Sequence, residues 1–416
     1  MTSIIRHPAA VALLILLGAL LVVGAIFVPW TAQPPSRAAQ LDAVANLPSG
    51  VVDKGKELAG VLRPSSYLSI VIGLVVAAVL GFTPLGSRIV GAVGRLVGGH
   101  WLAEAVLGGL VIVLIAQVVT LPISMWRHSV LVRYGISTQS WGPWAWDLAK
   151  SYAVTIVVAA VGLAAFYALA HYVPRWWWAW AAAAAGCLVV LMSAVYPVIV
   201  EPIFNQFHPM KNEQLSTELK DMARKDNVPV KEVLVSDASR RTTSANAYVS
   251  GLGPTRRIVV YDNLLQYPDS QVTSVVAHEL GHAKRGDVWI GTGLGALGVA
   301  AAVCAIPLLG RWQGLLHRAG VDEITAPRGI ALLLAVVALV SIVVTPLQNA
   351  VSRKIEMRAD SHALELTGDP DTFVEMQTSL ARTNISDVDP PGFVHWFFGS
   401  HPTTAQRIAM AKSYGE

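Results

Sequence analysis

Charge is what this sequence has least of. Asp, Glu, Lys and Arg make up 14% of the 416 residues, against about 25% in soluble globular proteins. With 54% apolar residues and a mean hydropathy of +0.52, there is too little polar surface for a water-soluble globule or a disordered chain. Cysteine is almost missing. Cys187 and Cys304 both sit in apolar runs without metal-type spacing, which excludes a disulfide framework and a thiolate metal site. The formal net charge of +4 is spread over the flanks of apolar segments instead of forming a basic stripe, so no nucleic acid is expected as a partner. Repeats and low-complexity tracts are also lacking, apart from an alanine run.

Long apolar runs are what the chain does have. Seven segments can each cross a hydrocarbon core of about 30 Å as a helix: approximately 9–29, 66–83, 102–123, 152–172, 177–199, 288–309 and 328–349. The first is longer than a signal-peptide core of about 7–15 residues and has no small-residue cleavage site directly after it, so it counts as a span. Ionisable residues are nearly absent at mid-span, which argues against a transporter. Lys and Arg near the span ends favour the side that holds loops 31–65 and 124–151, the stretch 200–287 and the tail from 350. The opposite side carries Arg6, Arg88, Arg95, Arg175, Arg311, Arg318 and Arg328. The first side is therefore expected to be the cytoplasm, with the N-terminus outside.

The expected fold class is an α-helical polytopic membrane protein. Its parts are a five-span membrane domain (1–199), a first catalytic segment (200–287), a transmembrane hairpin of spans six and seven (288–349) and a second catalytic segment (350–416). In 200–287, the spacing of Leu215, Leu219, Met222 and Ala223 predicts an amphipathic helix. Val233-Leu234-Val235 reads as a strand, and 245–250 with 257–262 as a hairpin about Gly251-Leu252-Gly253-Pro254. Pro268-Asp269-Ser270 is expected to supply the N-cap of a helix over 271–286. The segment from 350 reads as helix, Gly368-Asp369-Pro370 turn, helix, loop, and a last helix begun by Pro402.

The chemistry lies in His278-Glu279-Leu280-Gly281-His282. An i, i+4 pair puts both imidazoles on one helical face, where two nitrogens at about 2.0–2.1 Å can share a zinc ion, and Glu279 is placed as general base for the attacking water. A catalytic zinc usually takes a third protein ligand. Glu356 fits, because spans six and seven form a hairpin that returns the chain to the side it left. Asp360, one turn further on, can accept the free N–H of a ligand imidazole. His401, Asp360 and Asp287 remain the alternatives for the third ligand. One zinc per chain is expected.

These motifs are similar to those of the type I CAAX prenyl endopeptidases, integral-membrane zinc metalloproteases with seven spans. The likeness includes the HELGH run, Glu356-Met357-Arg358-Ala359-Asp360, Ser244 to Gly251, Arg257 to Asp262, and Ser400-His401-Pro402 with Arg407-Ile408. Weaker signatures are Glu201 to Asn205 and Arg133 to Ile136. The resemblance implies His278, His282 and Glu356 as zinc ligands and Glu279 as base. It also implies an edge strand around Asn246, Ala247 and Tyr248 that pairs with substrate, and His401 with Arg407 near the developing oxyanion. The expected partners are the lipid bilayer and a peptide or protein substrate, prenylated or membrane-associated. A quality-control membrane metalloprotease of broader specificity is the alternative, and a zinc-binding scaffold or transporter a further one. The Ala, Val and Gly bias suits a bacterium, hence a plasma-membrane location.

Overall fold

The computed structural model of the chain describes residues 7–251 and 253–414. Arg6, counted for orientation, and Leu252, in the expected turn, lie outside the described residues. In chain order the elements are α1 (Pro8–Phe27), α2 (Arg37–Ala45), α3 (Ser49–Phe82), α4 (Pro84–Leu96), α5 (Trp101–Arg133), α6 (Trp141–Tyr172) and α7 (Trp177–Val195). A π-turn, Tyr196–Val200, leads into the short α8 (Glu201–Phe204). There follow β1 (Phe207–Pro209), α9 (Glu213–Lys225), β2 (Glu232–Ser236), β3 (Ala247–Ser250), β4 (Arg257–Tyr261) and α10 (Asp269–Arg285). The chain closes with α11 (Asp287–Leu309), α12 (Gln313–Ala319), α13 (Ile330–Thr367), α14 (Pro370–Thr383), α15 (Gly392–Phe398) and α16 (Thr404–Lys412).

Among the described residues, seven helical stretches are long and apolar enough to span a bilayer. They match the seven apolar runs, and the protein is an integral, multi-pass membrane protein. Their outward side chains, such as Leu14, Leu21, Val75, Val157 and Val343, are exposed, as expected where lipid is the solvent. Several helices continue well past the hydrocarbon. Most of the expected loops 31–65 and 124–151 is helical, within α2, α3, α5 and α6. Even Pro64 does not end α3. Close to it, the Leu62 carbonyl accepts from the Ser65 and Ser66 hydroxyls and from Arg127, which ties α3 to α5. α13 likewise runs unbroken from the membrane into the polar segment and carries Glu356 and Asp360 on its extension.

The polar segments build a four-stranded sheet in the order β1-β2-β4-β3. β3 and β4 form the expected antiparallel hairpin. β2, however, pairs parallel with β4, and β1, too short for periodicity to reveal, pairs antiparallel with β2. β1 and β3 are the two edges. Leu215, Leu219, Met222 and Ala223 of α9 do share a buried face, packed with Ile258, Val260, Val272, Val276 and Leu280. α10 thus lies in the core, the one place where a helix can be held rigid on nearly all sides.

Three local expectations are corrected. Among the described residues, no side chain caps α10: Pro268 occupies the cap and Asp269 is already in the first turn, where its charge suits the helix dipole. The last helix is begun by Thr403, whose hydroxyl forms a capping box with Gln406, and not by Pro402. α15 occupies part of the region expected to be loop. Its carbonyls are held by Asn349 and Arg353 of α13, a long-range partnership that no local pattern displays.

Candidate metal centre

α10 presents His278 and His282 one turn apart, with Nε2 atoms 3.1 Å from each other. α13 brings the Glu356 carboxylate to them, 3.3 Å from His278 Nε2 and 3.6 Å from His282 Nε2. A tetrahedral site with bonds of about 2.0–2.1 Å has ligand atoms about 3.3 Å apart, so this spacing fits one small cation. Among the described residues, Glu356 Oε2 is buried without a hydrogen-bond partner. Buried carboxylate oxygens are normally satisfied, and a cation shared with the imidazoles would satisfy this one. The donor set, two imidazoles and one carboxylate, suits zinc.

Both rings are fixed from behind. His278 Nδ1 lies 2.9 Å from Asp360 Oδ1, and Asp360 is fully buried. Asp360 in turn accepts both Nε and Nη2 of Arg407. With its amide oriented to satisfy both groups, the buried Gln377 accepts from the same guanidinium at 3.1 and 3.2 Å. His282 Nδ1 lies 2.9 Å from Asp287 Oδ2, and Asp287 is ion-paired with Arg358. Each imidazole therefore has a carboxylate, and each carboxylate an arginine. The second set was not singled out from sequence, except that Asp287 stood as an alternative ligand. The signal was present: Asp287 follows Gly286, whose left-handed φ of 67° turns the chain directly from α10 into α11.

Glu279 shares the α10 turn with His278. Burial pushes its carboxyl above the ordinary carboxylate range; His278, His282 and Arg407 oppose the shift and Glu356 adds to it. Burial works to lower the His278 pKa, but the neighbouring Asp360 and Glu356 carboxylates outweigh it and push it up to about 10. In the metal-free chain that ring holds a proton, which a metal must displace. Behind α10, His362 packs against Gly281, where a Cβ would come within 3.1 Å of its ring, and bonds Asp226 at 2.9 Å. This explains a glycine between the two histidines.

Arg407 is placed differently from the expectation that it faces the oxyanion. It sits on the Nδ1 side of His278, 3.4 Å from that atom, and is occupied by Asp360. His401 Nε2 approaches Glu356 Oε1 at 3.4 Å, and its side chain is 59% exposed, so it does border the open side.

β3 packs beside α10. Asn246 gives its carbonyl to Tyr261 N–H, so by strand alternation the main chains of Asn246 and Tyr248 face β4, while Ala247 and Val249 turn theirs outward. The Tyr248 hydroxyl is bonded to Glu201, which removes it from the open edge. The Asn246 side chain is exposed. Both weaker sequence signatures support this edge. Thr243 N–H donates to the Ile136 carbonyl at 2.9 Å, and Asn205 accepts from Arg241.

Comparison with known proteins accords with this geometry. Peptidase family M48 matches residues 209–414, and the family described as CAAX prenyl protease N-terminal, five membrane helices, matches 64–206. An uncharacterised metalloprotease of Bacillus subtilis, YhfN, is 33% identical over 73% of this chain and 72% of its own length. The chain belongs to the M48 membrane metalloproteases. A CAAX prenyl protease 1 homologue of Oryza sativa is 26% identical over 71% of this chain and 70% of its own. The crystal structure of S. mikatae Ste24p superposes with a TM-score of 0.79 at 19% identity, covering 98% of this chain and 100% of that one; this likeness concerns the fold. For this metalloprotease, the family accounts for a metal and for peptide substrates.

Proposed function

We propose that the protein is a zinc-dependent endopeptidase with one zinc per chain held by His278, His282 and Glu356. The observation that carries this is the convergence of those three ligand atoms, one of them an unpartnered buried carboxylate oxygen, beside Glu279. The zinc, when bound, supplies a Lewis acid that acidifies water and stabilises oxyanion charge. Asp360 and Asp287 accept the Nδ1–H of the two rings, so that each Nε2 keeps its lone pair for the metal. Glu279 takes the proton of the attacking water and passes it to the leaving amine, a task its raised pKa suits. Outward main-chain groups of Ala247 and Val249 hold the peptide extended, with the Asn246 side chain alongside. His401, on the open side, donates toward the reacting carbonyl oxygen. Arg407 acts through Asp360.

The membrane setting and the curated relatives named as CAAX prenyl proteases support a membrane-associated substrate segment, with the catalytic segments facing the cytoplasm. Cleavage of matched prenylated and unprenylated peptides by the purified protein, with and without chelator, tests this. Chelator-sensitive cleavage favouring the prenylated peptide is expected. Equal cleavage of both would assign the broader specificity, and chelator-insensitive cleavage would end the zinc reading.

A further inference from the structure

We propose that the polar segment between the first two spans, residues 28–63, is a strap that positions the metal-binding imidazoles, with Ala43 and Arg63 as its positioning residues. The proposal rests on the zinc reading above. The segment precedes both family matches, which begin at residues 64 and 209, yet it is fastened beside both arginines that stand behind the histidines.

The first contact is beside Arg358, whose guanidinium reaches the residue just before the strap. While Nη2 holds Asp287, Nη1 reaches the carbonyl of Phe27, the last residue of α1, at 3.4 Å. Terminal carbonyls of a helix lack internal partners and attract cations. One turn earlier on α13, Lys354 donates to the Ala32 carbonyl. The start of the strap is therefore pinned to the same helix that supplies Glu356.

The second contact is beside Arg407. Ala43 of α2 is 1% exposed and packs on Ile408 and Ala409, the two residues after Arg407. Asp42 pairs with Lys412 at 3.1 Å. Further along, Arg63 is ion-paired with Asp387, and Arg37 with Asp389 at 2.6 Å. Val388, between those acids, packs with Val51 and Val52, and its carbonyl accepts from Ala405 N–H at 3.1 Å, in the first turn of α16. Gly55 lies so close that a Cβ there would collide with the Ser386 carbonyl. The same loop bonds the edge strand's approach, through Asn384 Oδ1 to Ala245 N–H at 3.1 Å. The Arg37 side chain is 58% exposed and such pairs contribute little. Ala43, which is buried, and Arg63, which is partly buried against a buried Asp387, are the effective contacts.

The test uses the full chain in its zinc-loaded form. Zinc release to a competing chelator and amide exchange in Thr404–Lys412 are measured for the parent, Ala43→Leu, Arg63→Glu, and the exchanged pair Arg63→Glu with Asp387→Arg. Altering groups that orient metal ligands typically weakens metal binding about 10–100-fold. The two single variants should release zinc about ten-fold faster and lose protection in α16, and the exchanged pair should restore both. Faster exchange in α16 with unchanged zinc release would overturn the proposal, as would unchanged exchange or an exchanged pair that restores nothing. A parent that retains no zinc would defeat the zinc reading instead. The strap would then be judged on exchange alone, in α16 and in the His278 turn of α10.

Discussion

Glu279 is the residue whose removal separates binding from chemistry. Glu279→Gln keeps the shape but cannot accept a proton, so cleavage should fall by at least about 10²- to 10⁴-fold while zinc content stays at the parent level. Near-normal turnover would remove Glu279 from the mechanism. Asp287→Asn should weaken zinc binding about 10–100-fold, because the His282 ring loses the carboxylate that fixes its tautomer. Unchanged affinity would reduce the Asp287–Arg358 pair to a packing feature. His278 gives a pH signature. Its pKa in the metal-free fold, about 10, exceeds the ordinary 6.5, so its proton stabilises that fold fully below pH 6.5, and the stabilisation is lost as pH rises through 10. Glu279, also raised, acts in the same direction over a lower range. Thermal unfolding of chelator-treated protein should therefore show stability declining between pH 6.5 and 10. A profile rising across that window would contradict the protonated ring. The juxtaposition of His278, His282, Glu356 and Asp360 could be read from sequence because helical spacing and the return of the hairpin are both one-dimensional facts. Arg407's position behind Asp360 could not, since it depends on where α16 docks.

At the scale of elements, β3 is the most testable. Its outward main-chain groups belong to Ala247 and Val249, and Val249→Pro removes one outward N–H without taking a bond from β4. Peptide cleavage should fall about ten-fold or more, mainly through KM, with zinc content unchanged. Unaltered KM would argue against strand pairing with the substrate. The spans, α9, α10 and the hairpin were legible because their periodicities are strong. β1 and α15 were not, being three and seven residues long and held by partners distant in sequence. The cap expected from Pro268-Asp269-Ser270 falls on Pro268 without a side-chain bond, because a proline before a carboxylate satisfies the pattern whether that carboxylate caps the helix or enters its first turn.

The whole molecule joins two polar segments across a membrane hairpin, and the zinc site exists only if both lie on one side. Cysteines placed at Lys211 and Lys412 should be labelled from the same face of sealed vesicles, the cytoplasmic one. Labelling from opposite faces would contradict the seven-span arrangement. The most direct measurement is zinc content and peptide cleavage on the same preparations of parent, Glu356→Ala and Glu365→Ala. Glu365 is an exposed carboxylate on the same helix with no part in the site. Glu356→Ala should lose both zinc and activity, while Glu365→Ala keeps one zinc per chain and parental turnover. A Glu356→Ala protein with full zinc and normal cleavage would contradict the three-ligand centre.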